Sequence, residues 1–209
     1  ESGSLPFAGV RREVSVLYVD LRELGAIVEP LTPEAAMRIL NAYVTLVVAA
    51  VFRHAGSLSK HTGDTIIAVW NLPLDQIDHA HRAVRAALDI RREVLKLRKH
   101  QPKESAIQVG MGVGTGSVIA GHIGASSRDE FTILGEVLGM AERLAMKADR
   151  GVFVDLATRD RVADEFETRE VNPVRLRRRT DLVMVWEVID PTEWVEQTKA
   201  DSEKPVIAS

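Results

Sequence analysis

The chain of 209 residues contains no cysteine. That single absence removes disulfides, thiol nucleophiles and cysteine-ligated zinc, and it agrees with a reducing, cytoplasmic setting. An excess of one charge is also missing. Lys and Arg number 27 against 30 Asp and Glu, a net charge of -3, so no global basic field argues for nucleic acid. Long hydrophobic runs are absent as well. The longest, Val44 to Phe52, is interrupted by Thr45 and is too short to cross a bilayer, so no direct membrane insertion is expected of this segment. The chain opens without a signal-peptide pattern. Its first residues, Glu-Ser-Gly-Ser-Leu-Pro, read as a linker, which suggests a piece of a longer protein. No internal repeat is visible.

What is present suits one soluble domain: 45% hydrophobic residues can bury a core, and 27% charged residues can cover it. Residues 1–12 read as linker, 13–189 as the domain, and 190–209 as a polar tail. Val14 to Val19 is a compact apolar strand closed by Asp20. Thr32-Pro33-Glu34 is a helix start, with a Thr cap, Pro at the first helical position and an acid in the first turn. That helix runs to about His54, where Gly56 ends it. Its apolar residues wrap past one stripe, so it is expected to pack on two sides. Leu58 to His61 and Thr65 to Trp70 read as a hairpin turning at Thr62-Gly63-Asp64. Asp75 is expected to cap a helix from Gln76 to about His100. A glycine-studded strand over 106–123, a short strand over 131–134 and a helix over 136–147 follow. Smaller elements at 152–154, 157–165, 171–177 and 182–188 complete an α+β order. Strand, long helix, hairpin, helix, strand is not the alternation of a doubly wound sheet. It suits a mainly antiparallel sheet with helices packed on one face.

Asp20 ends one apolar strand and Asp64 precedes another. Each alone reads as a strand-end or turn acid. On neighbouring strands, two carboxylates with backbone carbonyls offer an oxygen-rich site for Mg²⁺, which needs one or two carboxylates plus substrate phosphates. Gly110, Gly112, Gly114 and Gly116 recur at every second residue inside a strand. A dinucleotide loop would instead follow a strand and open a helix. The alternating glycines keep one strand face bare for another backbone or a ligand, and aim Val109, Met111 and Val113 at the core. Arg175-Leu-Arg-Arg-Arg179 is a local basic patch, either plain surface or a contact for anionic phosphate. His79 and His81, two apart on a helix, are poorly placed to share a metal.

Taken in order, these segments resemble the catalytic domain of class III nucleotide cyclases, the adenylyl and guanylyl cyclases. The resemblance runs from about Arg12 to Val188. It is carried by Val16-Leu-Tyr-Val-Asp20, Phe52-Arg-His-Ala-Gly56, Lys60-His-Thr-Gly-Asp64, Ala68-Val-Trp-Asn71, Asp78-His-Ala-His-Arg-Ala83, Gly110-Met-Gly-Val-Gly-Thr-Gly116, Gly121-His-Ile-Gly124, Phe131-Thr-Ile-Leu-Gly135 and Ala141-Glu-Arg143. It implies a ferredoxin-like βαββαβ core. It also implies that Asp20, Asp64 and the backbone carbonyl of Leu21 hold two Mg²⁺ or Mn²⁺ ions, and that Lys60 and Thr132 read the purine as an adenine-selecting pair. Arg143 would stabilise charge on the triphosphate, and Arg179 would grip its terminal phosphates. The implied reaction is ATP to 3′,5′-cyclic AMP and pyrophosphate. The implied assembly is a homodimer with its sites at the interface, fed by an upstream regulatory domain.

Two positions depart from the family pattern. Glu23-Leu24-Gly25 stands where the family has a Gly-Phe-Thr turn around the phosphates, and Gly139 stands where it has a transition-state asparagine. They support a second expectation, a catalytically degenerate nucleotide-binding or dimerisation module in a larger signalling protein. A phosphoacceptor receiver with Asp20 at its strand end is excluded by the 58–70 hairpin, because receivers alternate strand and helix.

Overall fold

The computed structural model describes residues 9–99, 106–125, 128–149, 151–175 and 182–190. Strand β1 (Val10–Arg22) is the spine of the sheet. After it come a short helix α1 (Leu24–Val28), helix α2 (Pro33–Arg53), strands β2 (Ser57–Thr62) and β3 (Thr65–Trp70), and helix α3 (His79–Lys99). The second half holds β4 (Gln108–Ala125), β5 (Arg128–Leu134), α4 (Glu136–Lys147), β6 (Val152–Val154), α5 (Leu156–Val162), β7 (Thr168–Arg175) and β8 (Leu182–Val188). The strands form one sheet in the order β2-β3-β1-β4-β6-β8-β7, with β5 on the outer part of β4. Every pairing is antiparallel except β4 with β6. The first four strands in space, β2-β3-β1-β4, with α2 and α3 as connections, are the expected βαββαβ core.

The alternation of β1 sorts the molecule into two layers. Leu17, Val19 and Leu21 join the main core with Tyr43, Val47 and Val51 of α2 and Ala83, Ala87 and Ile90 of α3. Val109, Met111 and Val113 of β4 enter the same core, as expected. Val14 and Val16 point the other way, to a smaller core with Val69, Val118 and the α4 residues Val137 and Ala141. Helices α2, α3 and α5 therefore cover one face, and α4 lies alone along the other. The bare face of β4 explains the separate position of α4. A Cβ on Gly112 would stand 2.2 Å from the Ala141 carbonyl oxygen, and one on Gly110 2.3 Å from that of Ala145. Helix backbone touches strand backbone there, which only glycine permits.

The Thr32 hydroxyl caps α2 by accepting from the Ala35 amide at 3.3 Å, with Pro33 and Glu34 in the first turn. The Tyr43 hydroxyl accepts the Ile107 amide at 3.1 Å and ties α2 to the start of β4. The second side expected to be packed is open among the described residues, and Met37 and Phe52 are exposed. At its end Ala55, with φ 56, takes the left-handed turn. Gly56 serves packing instead, since a Cβ there would lie 2.6 Å from the Trp70 ring. Helix α3 starts at His79 rather than Gln76. Gln76 is held back by Asn71, whose amide donates to Gln76 Oε1 at 2.8 Å while its Oδ1 accepts the Gln76 amide at 2.6 Å. Asp75 is not a helix cap; its carboxylate pairs with Arg12. Strand β1 also begins ahead of the expected domain boundary at residue 13.

Candidate active site

Asp20 lies near the end of β1, on the α4 face, opposite Thr65 of β3 on one side and Gly110 of β4 on the other. The β2–β3 hairpin closes between Thr62 and Thr65. Gly63 takes φ 52 at its first loop position, where a side chain would be strained although no atom blocks it. This turn places Asp64 directly before Thr65, and the Leu21 amide donates to the Asp64 carbonyl oxygen at 2.8 Å. The two sequence-predicted carboxylates, set far apart in the chain, are thereby brought to one corner of the sheet by backbone pairing alone.

The electrostatics of that corner are those of an under-compensated anion pair. Burial pushes the Asp20 carboxyl above its usual range, the Arg22 guanidinium opposes the rise, and the charge of Asp64 adds to it. Tyr18, two residues before Asp20 on the same face, is raised first by burial; its hydrogen bond to Thr65 opposes this, and Glu142, Asp20 and Asp64 push it further up. Its hydroxyl lies 3.3 Å from Thr65 Oγ1, which donates to Asp64 Oδ1 at 3.3 Å. Two carboxylates with neighbouring backbone oxygens form a hard donor set. They fit a divalent cation of the Mg²⁺ type, whose remaining positions substrate phosphates fill. No cluster of three metal-ligating side chains is assembled among the described residues, so the cation would rely on the nucleotide.

Arg143 projects from α4, half-buried, and makes no hydrogen bond or ion pair with a described residue. Lys60 is exposed on the edge strand β2, opposite Ile67. Thr132 is on β5, opposite Gly121 near the far end of β4. Arg179 lies outside the described residues, as does most of the basic patch. Glu23 is the turn residue after β1, exposed, with φ 57 and ψ 18. Gly139 is in α4 with nothing within 4 Å of an added Cβ.

Sequence reasoning missed Tyr18, Arg22, Thr65 and Glu142. The signal for the first two was their spacing of two from Asp20, which puts all three on one strand face. It also assigned no role to His79, which is 6% exposed and has its Nδ1 2.8 Å from Ser15 Oγ. Ser15 in turn meets Thr115 at 2.7 Å, and Thr115 accepts from Thr158 at 2.9 Å, a buried polar chain between α3 and α5. A surface cavity of about 440 Å³ opens beside it between Glu13, Gln76, His79 and Arg161. None of the expected site residues lines that cavity.

The family model described as Adenylate and Guanylate cyclase catalytic domain matches residues 8–188. The chain belongs to this cyclase family. Adenylate cyclase 1 of Rhizobium meliloti is 29% identical over 199 residues, covering 92% of this chain and 30% of the relative. This cyclase domain thus spans less than a third of that relative's length. Among solved structures, the adenylyl cyclase CyaB from P. aeruginosa superposes with a TM-score of 0.81 at 23% identity, covering 88% of this chain and 96% of that one. The guanylyl cyclase Cya2 superposes with a TM-score of 0.76 at 25% identity, covering 86% and 93%. The fold is that of cyclase catalytic domains, and relatives of both nucleotide specificities stand near it.

Proposed function

We propose that this cyclase domain is an adenylyl cyclase that converts ATP to 3′,5′-cyclic AMP and pyrophosphate as a homodimer, at a rate held low by Glu23 and Gly139. The observation that carries the reading is the meeting of Asp20 and Asp64 on one sheet corner, under a helix whose Arg143 has no described partner. In the reaction the ribose 3′-oxygen bonds to the α-phosphorus, the bond from that phosphorus to the leaving pyrophosphate breaks, and the hydroxyl proton passes to solvent. Bound divalent cations would neutralise the polyphosphate and lower the pKa of the attacking hydroxyl.

The chain's own residues bind and orient. Asp20, Asp64 and the Leu21 carbonyl present oxygen donors at the phosphates. Arg143 meets the negative charge that grows as pyrophosphate departs, and needs no covalent chemistry to do so. Lys60 and Thr132 read the adenine edge, with Arg179 on the terminal phosphates. The unpaired state of Lys60 among described residues suits such a role, since an ammonium already held in an ion pair would have to break it first.

A second reading, a silent nucleotide-binding or dimerisation module, is favoured by Glu23 and Gly139. One assay separates them. Purified protein with ATP and Mn²⁺, beside a GTP reaction, is followed for cyclic nucleotide. Cyclic AMP above the Asp64→Ala background is expected; equal output from the two proteins leaves the silent module standing, and cyclic GMP in excess overturns the adenine assignment.

A further inference from the structure

Thr65 is placed next to both carboxylates of the site. It follows Asp64 in the chain and is the cross-strand partner of Asp20, where opposed side chains start about 5 Å apart. A threonine hydroxyl has a single proton to give. Thr65 Oγ1 donates it to Asp64 Oδ1 at 3.3 Å. The same oxygen keeps its lone pairs, and the Tyr18 hydroxyl lies 3.3 Å from it. With the threonine proton already committed, the phenol is the donor. Tyr18 is opposite Ile67 and so diagonal to Thr65, a separation that an aromatic side chain can bridge. Donation therefore runs from Tyr18 to Thr65 to Asp64.

This order fixes a carboxylate that would otherwise turn freely. The Asp64 carbonyl oxygen accepts the Leu21 amide at 2.8 Å, which anchors the main chain. The side chain is exposed, and no main-chain bond orients it. The bond from Thr65 does. Without the phenol, the threonine hydroxyl faces two competing acceptors, Asp64 beside it and Asp20 across the ladder. The phenol fixes the choice by engaging the same oxygen.

We propose that Tyr18 and Thr65 are positioning residues for the metal site. Their relay of hydroxyls holds Asp64 Oδ1 against the strand and leaves Oδ2 to the cation. Both donors are neutral, so they orient the carboxylate without opposing the cation's charge as a lysine or arginine would. Outer partners of this kind govern how well a ligand serves its metal. The proposal rests on the cyclase reading above and uses only residues that one protomer contributes. A purely structural pair of hydroxyls would steady the β1–β3 pairing and leave metal affinity alone.

The test compares wild type with Tyr18→Phe, Thr65→Val, Thr65→Ser and the Tyr18→Phe/Thr65→Val double variant, all in the whole chain. Phenylalanine and valine keep the ring and the β-branch and suit a strand, so only hydroxyls are lost. Mn²⁺ affinity is read without nucleotide from the spin-resonance signal of free Mn²⁺. It is read again as the Mn²⁺ concentration that gives half the maximal rate with ATP, and thermal unfolding is followed without metal. Tyr18→Phe is expected to weaken Mn²⁺ binding about 2- to 10-fold, the worth of one hydrogen bond. Thr65→Val should weaken it about 10- to 100-fold, as loss of a ligand's outer partner does. The double variant should be no weaker than Thr65→Val, because a relay is cut only once. Thr65→Ser keeps the hydroxyl and should bind Mn²⁺ close to wild type. Saturating Mn²⁺ should return most of kcat in Tyr18→Phe.

Unchanged Mn²⁺ affinity in Tyr18→Phe and Thr65→Val, whatever their melting temperatures, overturns the positioning role. Losses that add in the double variant overturn the relay. If Thr65→Val does not fold, Tyr18→Phe carries the test. A wild-type chain that binds Mn²⁺ but makes no cyclic nucleotide overturns the cyclase reading, while the spin-resonance affinities still decide the positioning role. One that binds no Mn²⁺ by either reading overturns both.

Discussion

Gly139 lies in the second turn of α4 with free space where a side chain would go. The family's asparagine can therefore be restored without displacing an atom. Losing one transition-state donor of this kind typically costs about 10²–10³ in rate. Replacing an interior helical glycine also gains a few tenths of a kcal/mol in propensity. Gly139→Asn is expected to raise kcat at least about tenfold with no loss of thermal stability, read as initial rates at saturating ATP and Mn²⁺. An unchanged kcat would show that the missing amide does not limit turnover. Glu23 is a different kind of departure. Its φ of 57 places a non-glycine residue in the left-handed region, at a cost of about 1–2 kcal/mol. The chain keeps the tight turn after β1 while holding an acid where glycine would be relaxed, and the exposed carboxylate is directed away from the packed interior.

At the scale of elements, the contact that sets the site is α4 against β4. At Gly112 a Cβ would press on the Ala141 carbonyl at 2.2 Å and the Ala145 amide nitrogen at 2.5 Å. Both are helix backbone and cannot rotate away. Gly112→Ala should cost about 2–3 kcal/mol and lower the denaturant midpoint without changing the slope. Gly139→Ala, in open space, should instead stabilise by up to about 1 kcal/mol. Equal effects from the two would mean that propensity, not contact, governs α4. This element also marks the limit of what the sequence discloses. Period-two glycines revealed a bare strand face, and the hairpin at Gly63 and the strand-end Asp20 were legible from turn chemistry and apolar runs. That the bare face receives α4, opposite the other helices, depends on which amphipathic helix returns to which side, a long-range packing choice. The start of α3 was misread for a related reason: the Asn71–Gln76 exchange of hydrogen bonds competes locally with the helix. The face that Arg22 shares with Asp20 was legible from their spacing, but its contacts with α4 were not, because they are backbone carbonyls more than a hundred positions away, which no residue type advertises.

For the whole molecule, the question is how one chain could hold a complete site. Along the β1–β4 ladder Asp20 pairs with Gly110, and the ladder ends where Val10 pairs with Ala120. Thr132 sits beyond that end, opposite Gly121, so Thr132, proposed to read the purine, and Asp20, proposed to hold metal, stand at opposite ends of one ladder. Lys60 is on the exposed edge strand beside the hairpin that bears Asp64. A two-fold homodimer resolves this if Asp64 of one protomer serves the nucleotide read by Lys60 of the other. The arrangement makes a demand that no single-chain site can meet. Asp64→Ala and Lys60→Ala homodimers should each be nearly silent. Mixed, the two chains form heterodimers in which one site collects both damaged residues and the other collects neither. With random exchange, about half of the dimers are mixed and each has one intact site of two, so about a quarter of wild-type activity should return. Sedimentation of the mixture at the assay concentration verifies that dimers are present. Recovery absent despite dimerisation would place Asp64 and Lys60 at the same nucleotide within one protomer, and the hairpin would then serve one site rather than being shared between two.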